Sequence, residues 1–351
     1  METRQGLSKP TTVLLTAASA VVVIAGLREA SEILSPLLMA GFLAIISTPP
    51  IVWLRSHGLP KWAAYSIVFA LLGLLTLLSI SGISDSIDQI RATLPFYEER
   101  LSNIMNALGG WLHGFGVLPS TDAIRDLVNP GRIMQLFGYL MNPAGDLIAN
   151  LFLIILAVLF ILTEAGSLRR KLFYLLSERR LSFHNLEGFT RTVNRYFLIK
   201  TLMSLVTGVF IATWLSVIGV DFAILWGWLA FFLNFVPYIG SVLAAVPAVL
   251  IALLGQGTDM AIYAAIGFVL ANVVVGSVLE PRFLGQGLGL STLVVFISMV
   301  FWGWVLGPVG MFLSAPLTTL VKIAAESDEK SRWLGVLLGT GSELRPKKAQ
   351  R

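Results

Sequence analysis

The chain has 351 residues, of which 56% are hydrophobic and 13% charged. An average soluble domain has about 45–50% apolar and about 25% charged residues, so this composition excludes an ordinary soluble enzyme. The mean hydropathy of +0.81 predicts a polytopic membrane protein. We assign the net charge of +5 to basic cytoplasmic loops rather than to a nucleic-acid-binding surface. The absence of cysteine excludes disulfides, thiolate nucleophiles and Cys-ligated metal sites.

Five apolar runs in the first two thirds of the chain are long enough to cross a bilayer, which takes about 20 helical residues. They cover residues 11–27, 33–54, 62–83, 147–166 and 196–218. Lys and Arg in short loops mark the cytoplasmic side of a membrane. Basic residues occur before the first run, between the second and third at 55–61, and after the fourth from Arg169 to Lys200. This alternation predicts a cytoplasmic N terminus.

The segment 84–146 between the third and fourth runs contains more acidic than basic residues, which predicts an extracytoplasmic location. Apolar residues recur in it at helical spacing, from Ile87 to Leu108 and from Ile124 to Leu140. We expect amphipathic helices that lie on the membrane surface or pack on a neighbouring subunit. A lid that binds a partner is the alternative.

Two broken apolar units follow in the C-terminal half, at 222–254 and 290–323. Each contains a Gly/Pro break and a further proline beyond it. The break in the first unit comprises Asn234, Pro237 and Gly240 and is followed by Pro247; the break in the second comprises Gly307, Pro308 and Gly310 and is followed by Pro316. An arm of about 14 residues rises only about 21 Å, which is short of the roughly 30 Å hydrocarbon core. Paired interrupted segments of this kind point to the binding site of a transporter.

Two topologies fit this half of the chain. In one, both units are re-entrant hairpins that enter from opposite faces, and only residues 260–279 cross. In the other, every arm spans. Both topologies place the basic C-terminal tail in the cytoplasm, and we favour the hairpins.

The predicted fold is therefore an all-α polytopic membrane protein with about eight membrane segments. The expected divisions are three N-terminal transmembrane helices (1–83), the extracytoplasmic insertion (84–146), two transmembrane helices with a basic cytoplasmic loop (147–220), a transport core with paired broken hairpins (221–325) and a cytoplasmic tail (326–351).

Ionisable residues inside membrane segments are costly and are candidate site residues for that reason. Glu280 and Arg282 flank a proline at the end of the 260–279 run. They can pair with each other and with a solute, or anchor the chain at the interface. Glu164 is a weaker candidate, since an ion pair with the adjacent basic loop also explains it. Asp221 is another, since it can cap the following helix.

Two uncharged amides complete the candidates. Asn234 lies at the first break, where its side chain can contact a solute or cap the second arm. Asn272 lies in the middle of the 260–279 run and serves either a solute or an interhelical hydrogen bond. The predicted solute or ion pathway comprises Asn234, Pro237, Gly240, Asn272, Glu280, Arg282, Gly307, Pro308, Gly310 and Pro316.

Catalytic signatures do not occur in the sequence: there is no HExxH, no GxSxG and no P-loop. The three histidines, His57, His113 and His184, do not have metal-ligand spacing. We therefore expect neither an enzyme nor a cofactor or metal site.

Three linked stretches resemble the autoinducer-2 exporter family of bacterial membrane proteins. They are Asn-Phe-Val-Pro-Tyr-Ile-Gly at 234–240, Leu-Glu-Pro-Arg-Phe-Leu-Gly at 279–285 with Gly-Leu-Gly-Leu-Ser at 287–291, and the glycine and proline pattern at 303–317. The resemblance extends upstream to Tyr196 and Gly208. The sequence differs from the family pattern at Gln286, where a basic residue is common, and in the aromatic residues between Gly303 and Gly307.

The resemblance implies a multi-pass permease of the bacterial inner membrane, and the charge pattern predicts that both of its termini are cytoplasmic. Family members are associated with export of the quorum-sensing signal autoinducer-2 or with sodium/proton antiport. The partners we expect are the lipid bilayer, a small solute or ion, and further copies of the chain, but not nucleic acid. The alternatives are a channel, and a non-transporting membrane scaffold or regulator that binds partners through segment 84–146.

Overall fold

The structure is a computed structural model that describes residues 9–114, 153–164, 167, 183–284, 288–326 and 331–340. Within these ranges the chain is almost entirely helical, and extended pairing is limited to one bridge between Leu290 and Gly339. The helices are α1 (Lys9–Glu29), α2 (Ser31–Ser56), α3 (Lys61–Gly114), α4 (Leu153–Glu164), α5 (Phe183–Val217), α6 (Ala223–Leu233), α7 (Gly240–Gln256), α8 (Thr258–Ala271), α9 (Glu280–Leu284), α10 (Thr292–Glu326) and α11 (Arg332–Leu338). A π-helical segment, Asn272–Leu279, joins α8 to α9.

Among the described residues, five helices are long and apolar enough to cross a membrane. They are Ser31–Ser56, Lys61–Leu78, Val193–Val217, Thr258–Phe283 and Thr292–Glu326. Many large apolar side chains on these helices are exposed, which is the surface that lipid covers. The all-α polytopic class is thus confirmed.

The N-terminal elements follow the predicted runs. Helix α1 covers the run at 11–27, and α2 covers the run at 33–54. The third run and the first half of the predicted insertion form one helix, since α3 continues for 54 residues. The second half of the insertion, the basic stretch 168–182 and the tail beyond 340 lie outside the described residues.

The first broken unit is a helical hairpin made by α6 and α7. Between the two helices, Tyr238 has a left-handed backbone with φ of 62°. Gly240 begins α7 against the end of α6, and a Cβ at this position would overlap the carbonyl oxygen of Leu233. Only glycine permits this close return of the chain.

The second broken unit, α10, also folds back on itself. Its helical geometry is interrupted at Gly307, with φ 67° and ψ −151°. The indole Nε1 of Trp302 donates a hydrogen bond of 2.9 Å to Oγ1 of Thr318, 16 residues later. These residues would lie about 24 Å apart along a straight helix, so the chain reverses between them. A Cβ on Gly310 would overlap the carbonyl oxygen of Trp302, which repeats the construction at Gly240.

An aromatic cluster joins both hairpins to the longer helices. Phe235 of the first hairpin stacks on Phe312 of the second with ring centroids 4.2 Å apart. Phe42 of α2 meets the edges of both rings at 5.7 and 4.9 Å, and Phe197 of α5 at 4.5 Å. Such ring pairs contribute about 0.5–1.5 kcal/mol each beyond the area they bury. The hairpins are therefore packed against each other at this point.

Replacing the hairpin glycines tests their role. We expect Gly240→Ala and Gly310→Ala each to lower the free energy of unfolding by about 2–3 kcal/mol, because the added methyl group meets a backbone carbonyl that cannot move aside. The measurement is unfolding of the purified protein in a titration with a denaturing detergent, followed by tryptophan fluorescence. Gly41→Ala is the matched control, since its Cβ would meet open space, and equal stability of all three variants would contradict the prediction.

Candidate functional site

A buried ion pair joins α5 to α9. Lys200 lies within the apolar helix Val193–Val217. Its Nζ donates to Oε1 and Oε2 of Glu280 at 2.7 and 2.9 Å. The two side chains are only 8% and 17% exposed. An unpaired charge in such surroundings is strongly unfavourable, so each group depends on the other.

Lys200 is the first of three polar residues that share one side of α5. Ser204 and Thr207 follow it at helical spacing, so the three side chains lie on the same face. All three residues are buried. We call Lys200, Ser204 and Thr207 the α5 polar face.

The first hairpin brings its tip to this face. Asn234 ends α6, and its side-chain Nδ2 donates a 3.0 Å hydrogen bond to Oγ of Ser204. Gly208 of α5 and Gly227 of α6 bring the backbones of these two helices into contact. A Cβ on either glycine would lie 2.8 Å from the other's carbonyl oxygen. This close approach of α5 and α6 allows the short Asn234 side chain to reach Ser204.

A small cavity lies between α5, the first hairpin and α8. Four polar residues line it, Thr207, Asn234, Ser241 and Asn272, and its remaining lining consists of Ala230, Ala244, Phe268 and Ala271. Its volume holds about one water molecule. We call it the amide cavity, because two amides and two hydroxyls supply donors and acceptors there without any charge.

The π-helical segment positions the two ends of this site. Asn272 begins the segment at the mouth of the amide cavity, and Glu280 follows its last residue, opposite Lys200. The backbone N–H of Glu280 bonds to the carbonyl of Val275, five residues earlier. A Cβ on Gly276 would lie 3.0 Å from Oδ1 of Asn272. Wide turns of this kind are rare and often occur at functional sites.

The structure thus brings together three of the residues singled out from the sequence: Asn234, Asn272 and Glu280 all border or contact the α5 polar face. The partner of Glu280 is Lys200 and not Arg282, whose side chain is exposed. Pro237 and Gly240 lie in the tip of the first hairpin.

The remaining hairpin residues belong to the second unit. Gly307, Pro308 and Gly310 form the reversal in α10, and Pro316 is buried in its second arm. Glu164 is exposed at the end of α4.

Asp221 lies at the far end of α5 from Lys200, in the turn before α6. Its carboxylate accepts a 2.7 Å hydrogen bond from the hydroxyl of Tyr97. Burial, and next the hydrogen bond to this carboxylate, raise the pKa of Tyr97 above its usual range. The capping interpretation of Asp221 is wrong, because α6 is preceded by Phe222 and has no side-chain cap. The carboxylate instead holds α3 against the base of the first hairpin.

Lys200, Ser204 and Thr207 did not figure among the candidates from the sequence. Lys200 was grouped with the basic loop before it, as the last cation of a long run. The missed signal is the spacing of four and then three residues between polar positions in an otherwise apolar helix, which places them on one buried face.

A buried ion pair and a cavity lined by amides and hydroxyls, held between long apolar helices and a broken hairpin, are typical of a membrane transporter or permease. The model of the family described as AI-2E family transporter matches residues 15–328, and the chain belongs to this family. The AI-2 transport protein TqsA of Escherichia coli K12 is 36% identical over 91% of this chain and 92% of its own length. A putative transport protein of Haemophilus influenzae is 37% identical over 93% and 95%, and the E. coli K12 putative transport protein YhhT is 35% identical over 99% of both chains.

A double-mutant cycle tests the ion pair. We expect Lys200→Met and Glu280→Gln each to lower the free energy of unfolding by about 3–5 kcal/mol, since each leaves a polar or charged partner buried without its counterpart. The double variant should lose clearly less than the sum of the two, because both groups disappear together. Denaturing-detergent titrations of the four proteins measure this coupling.

Arg282→Gln is the matched control for the cycle. Its side chain is exposed two residues beyond Glu280, so its effect should stay within about 0.5 kcal/mol. Additive losses in the Lys200→Met/Glu280→Gln double variant would show that the two groups are not coupled.

Proposed function

We propose that the protein is a secondary, ATP-independent transporter that moves a small polar solute past the α5 polar face. The observation that carries this proposal is the continuity of polar groups along an apolar helix, from the Lys200–Glu280 pair through Ser204–Asn234 to the amide cavity. Polar groups are costly at membrane depth and mark solute or ion pathways.

In this proposal the two hairpins re-enter the membrane from opposite faces. The first hairpin has its base at the Asp221 end of α5, where the side chain of Gln256 bonds to the carbonyl of Gly219. Its tip reaches Ser204, which lies toward the other end of the helix, where Arg195 donates to the carbonyl of Phe283 at 3.3 Å. We call these the Asp221 end and the Arg195 end of the bundle.

The second hairpin has the reverse orientation in this proposal. Its base follows Phe283 closely in the chain, and Lys322 of its second arm donates to the carbonyl of Gly289 at 3.0 Å. Its tip lies near the start of α2, where Oγ of Ser35 donates to the carbonyl of Leu306 at 3.1 Å. In this arrangement α3 follows α2 in the chain and runs in the opposite direction. Because α3 reaches Asp221 through Tyr97, α2 begins at the Asp221 end.

Opposed hairpins support alternating access. The Phe235–Phe312 contact closes the space between the hairpins, and the amide cavity has room for about one water molecule. A solute therefore needs the hairpins to separate before it binds. Movement of one hairpin then opens the α5 polar face to one side of the membrane at a time.

Autoinducer-2 is the first solute to test. The support is the name of the AI-2 transport protein TqsA, with which this chain shares 36% identity over 91% of its length. The uncharged amides and hydroxyls of the amide cavity also suit a hydroxylated molecule. Export across a bacterial inner membrane is the direction that the family resemblance implies.

Exchange of sodium for protons is a second candidate, and the buried Lys200–Glu280 pair is the observation that favours it. A carboxylate at membrane depth is a typical ligand and proton carrier in ion-coupled transport. A cation that binds Glu280 must displace the Lys200 ammonium.

Flux from proteoliposomes tests the proposal. The purified protein is reconstituted and release of autoinducer-2 is measured in parallel with sodium- and lithium-driven proton movement. We expect saturable flux of one of these species. We further expect a loss of about tenfold or more in Asn234→Ala, Thr207→Val and Glu280→Gln, the size of effect that removing one buried hydrogen-bonding or charged group from a site produces.

Asp221→Asn and Arg282→Gln are the controls and should keep flux within about twofold of the parent. Parent-like flux in Asn234→Ala and Glu280→Gln, with parent-like folding, would remove the α5 polar face from the pathway. Downhill flux without saturation would indicate a channel, and no flux in any arm would favour a scaffold.

A further inference from the structure

The tip of the second hairpin contacts side chains from the end of α1 and the start of α2. Leu306 is the last residue before the break at Gly307, and the final carbonyls of a helical arm do not have a partner in the next turn. Ser35 supplies a donor to the Leu306 carbonyl, 3.1 Å away. The hydroxyl therefore gives a hydrogen-bond partner to a backbone carbonyl that the reversal removes from the helical pattern.

A second contact acts at the same tip. The guanidinium of Arg28, in the last turn of α1, lies 4.8 Å from the ring centroid of Trp304. Trp304 is 55% exposed, and Arg28 is exposed as well. A cation–π contact in such surroundings contributes little, so it can form and break readily.

The second tip combines buried and exposed residues. Val305 and Leu306, next to the break, are only 1% and 4% exposed, whereas Trp304 and Pro308 are exposed. Exposed positions with few buried contacts open at the lowest free-energy cost, so the contacts of Arg28 and Ser35 add to the hold on this tip.

We infer that Arg28 and Ser35 form a tip latch on Trp304 and Leu306, whose release lets the second hairpin move and opens the Asp221 end of the core. This inference rests on the proposed transport function. It assigns α1 and the start of α2 a role as the fixed support of a moving hairpin. Arg28 and Ser35 are thus positioning residues and do not bind the solute.

Hydrogen exchange of the backbone amides in residues 302–310 tests the latch without any transport. In nanodiscs, Ser35→Ala and Arg28→Gln should each speed exchange in this segment roughly threefold or more, and the double variant more than either, as loss of a contact of about 1 kcal/mol implies. Ser35→Thr and Arg28→Lys keep the hydroxyl and the cation and should restore slow exchange. Arg282→Gln, far from the tip, should not change it. Unchanged exchange in the double variant would overturn the latch.

Cross-linking tests whether the tip moves during transport. The chain does not contain cysteine, so Arg28→Cys/Trp304→Cys can be joined selectively by a reducible bifunctional thiol reagent. We expect the joined protein to lose at least about 90% of its flux and to regain it on reduction, since a tethered tip cannot release. Glu29→Cys/Glu32→Cys, joined within the turn and away from the hairpin, should keep its flux.

The outcomes separate the two proposals. Full flux with the tip joined, together with faster exchange in the latch variants, would show that the contacts hold a hairpin that does not move. A parent protein that carries no solute would overturn the proposed function, whereas the exchange result would still decide whether Arg28 and Ser35 hold the tip.

Discussion

The Lys200–Glu280 ion pair is the interaction on which the arrangement of the core depends. Neither charge is tolerable alone among apolar helices, so the pair fixes α5 and α9 relative to each other. The pair also fixes the position of the segment that leads to Glu280. The π-helical segment carries the backbone from Asn272, at the amide cavity, to Glu280, opposite Lys200. One electrostatic constraint thus sets the register of two helices and the position of the cavity between them.

The second constraint is that backbone N–H and C=O groups must form hydrogen bonds, and it shapes the hairpins. A helix that stops inside a bilayer leaves carbonyls and amides to be satisfied by protein groups. At the second break the hydroxyl of Ser35 donates to the carbonyl of Leu306. At both breaks a glycine, Gly240 or Gly310, admits a carbonyl from the preceding arm. This shared use of glycine explains why the two units resemble each other in sequence although their arms pack against different helices.

Composition and the Gly/Pro pattern were sufficient to predict a helical membrane protein with two broken units, because hydrocarbon imposes strict rules on length and polarity. Asn234 and Glu280 could be selected because polar residues in apolar runs are conspicuous. Counting charges could not separate Lys200 from the basic residues before it. Lys200 is buried because the apolar part of α5 already begins at Val193, and the sequence does not mark that boundary.

Other parts of the site depend on tertiary packing and leave little trace in the sequence. Nothing in the sequence of 272–279 distinguishes a π-helical segment from an ordinary helix. The contact between Arg28 and Trp304 joins residues that are far apart in the chain. Such contacts become visible only when the hairpin has been folded back.

The pairing of Lys200 with Glu280 also determines how the core responds to an electric field. A membrane potential of 100 mV acts on an isolated elementary charge with about 2.3 kcal/mol. A closed ammonium–carboxylate pair has no net charge, so the field does almost no work when the two groups move together. Rearrangement of the empty core is then electrically silent, and any voltage dependence of flux reports the charge of the solute or of an ion that separates the pair.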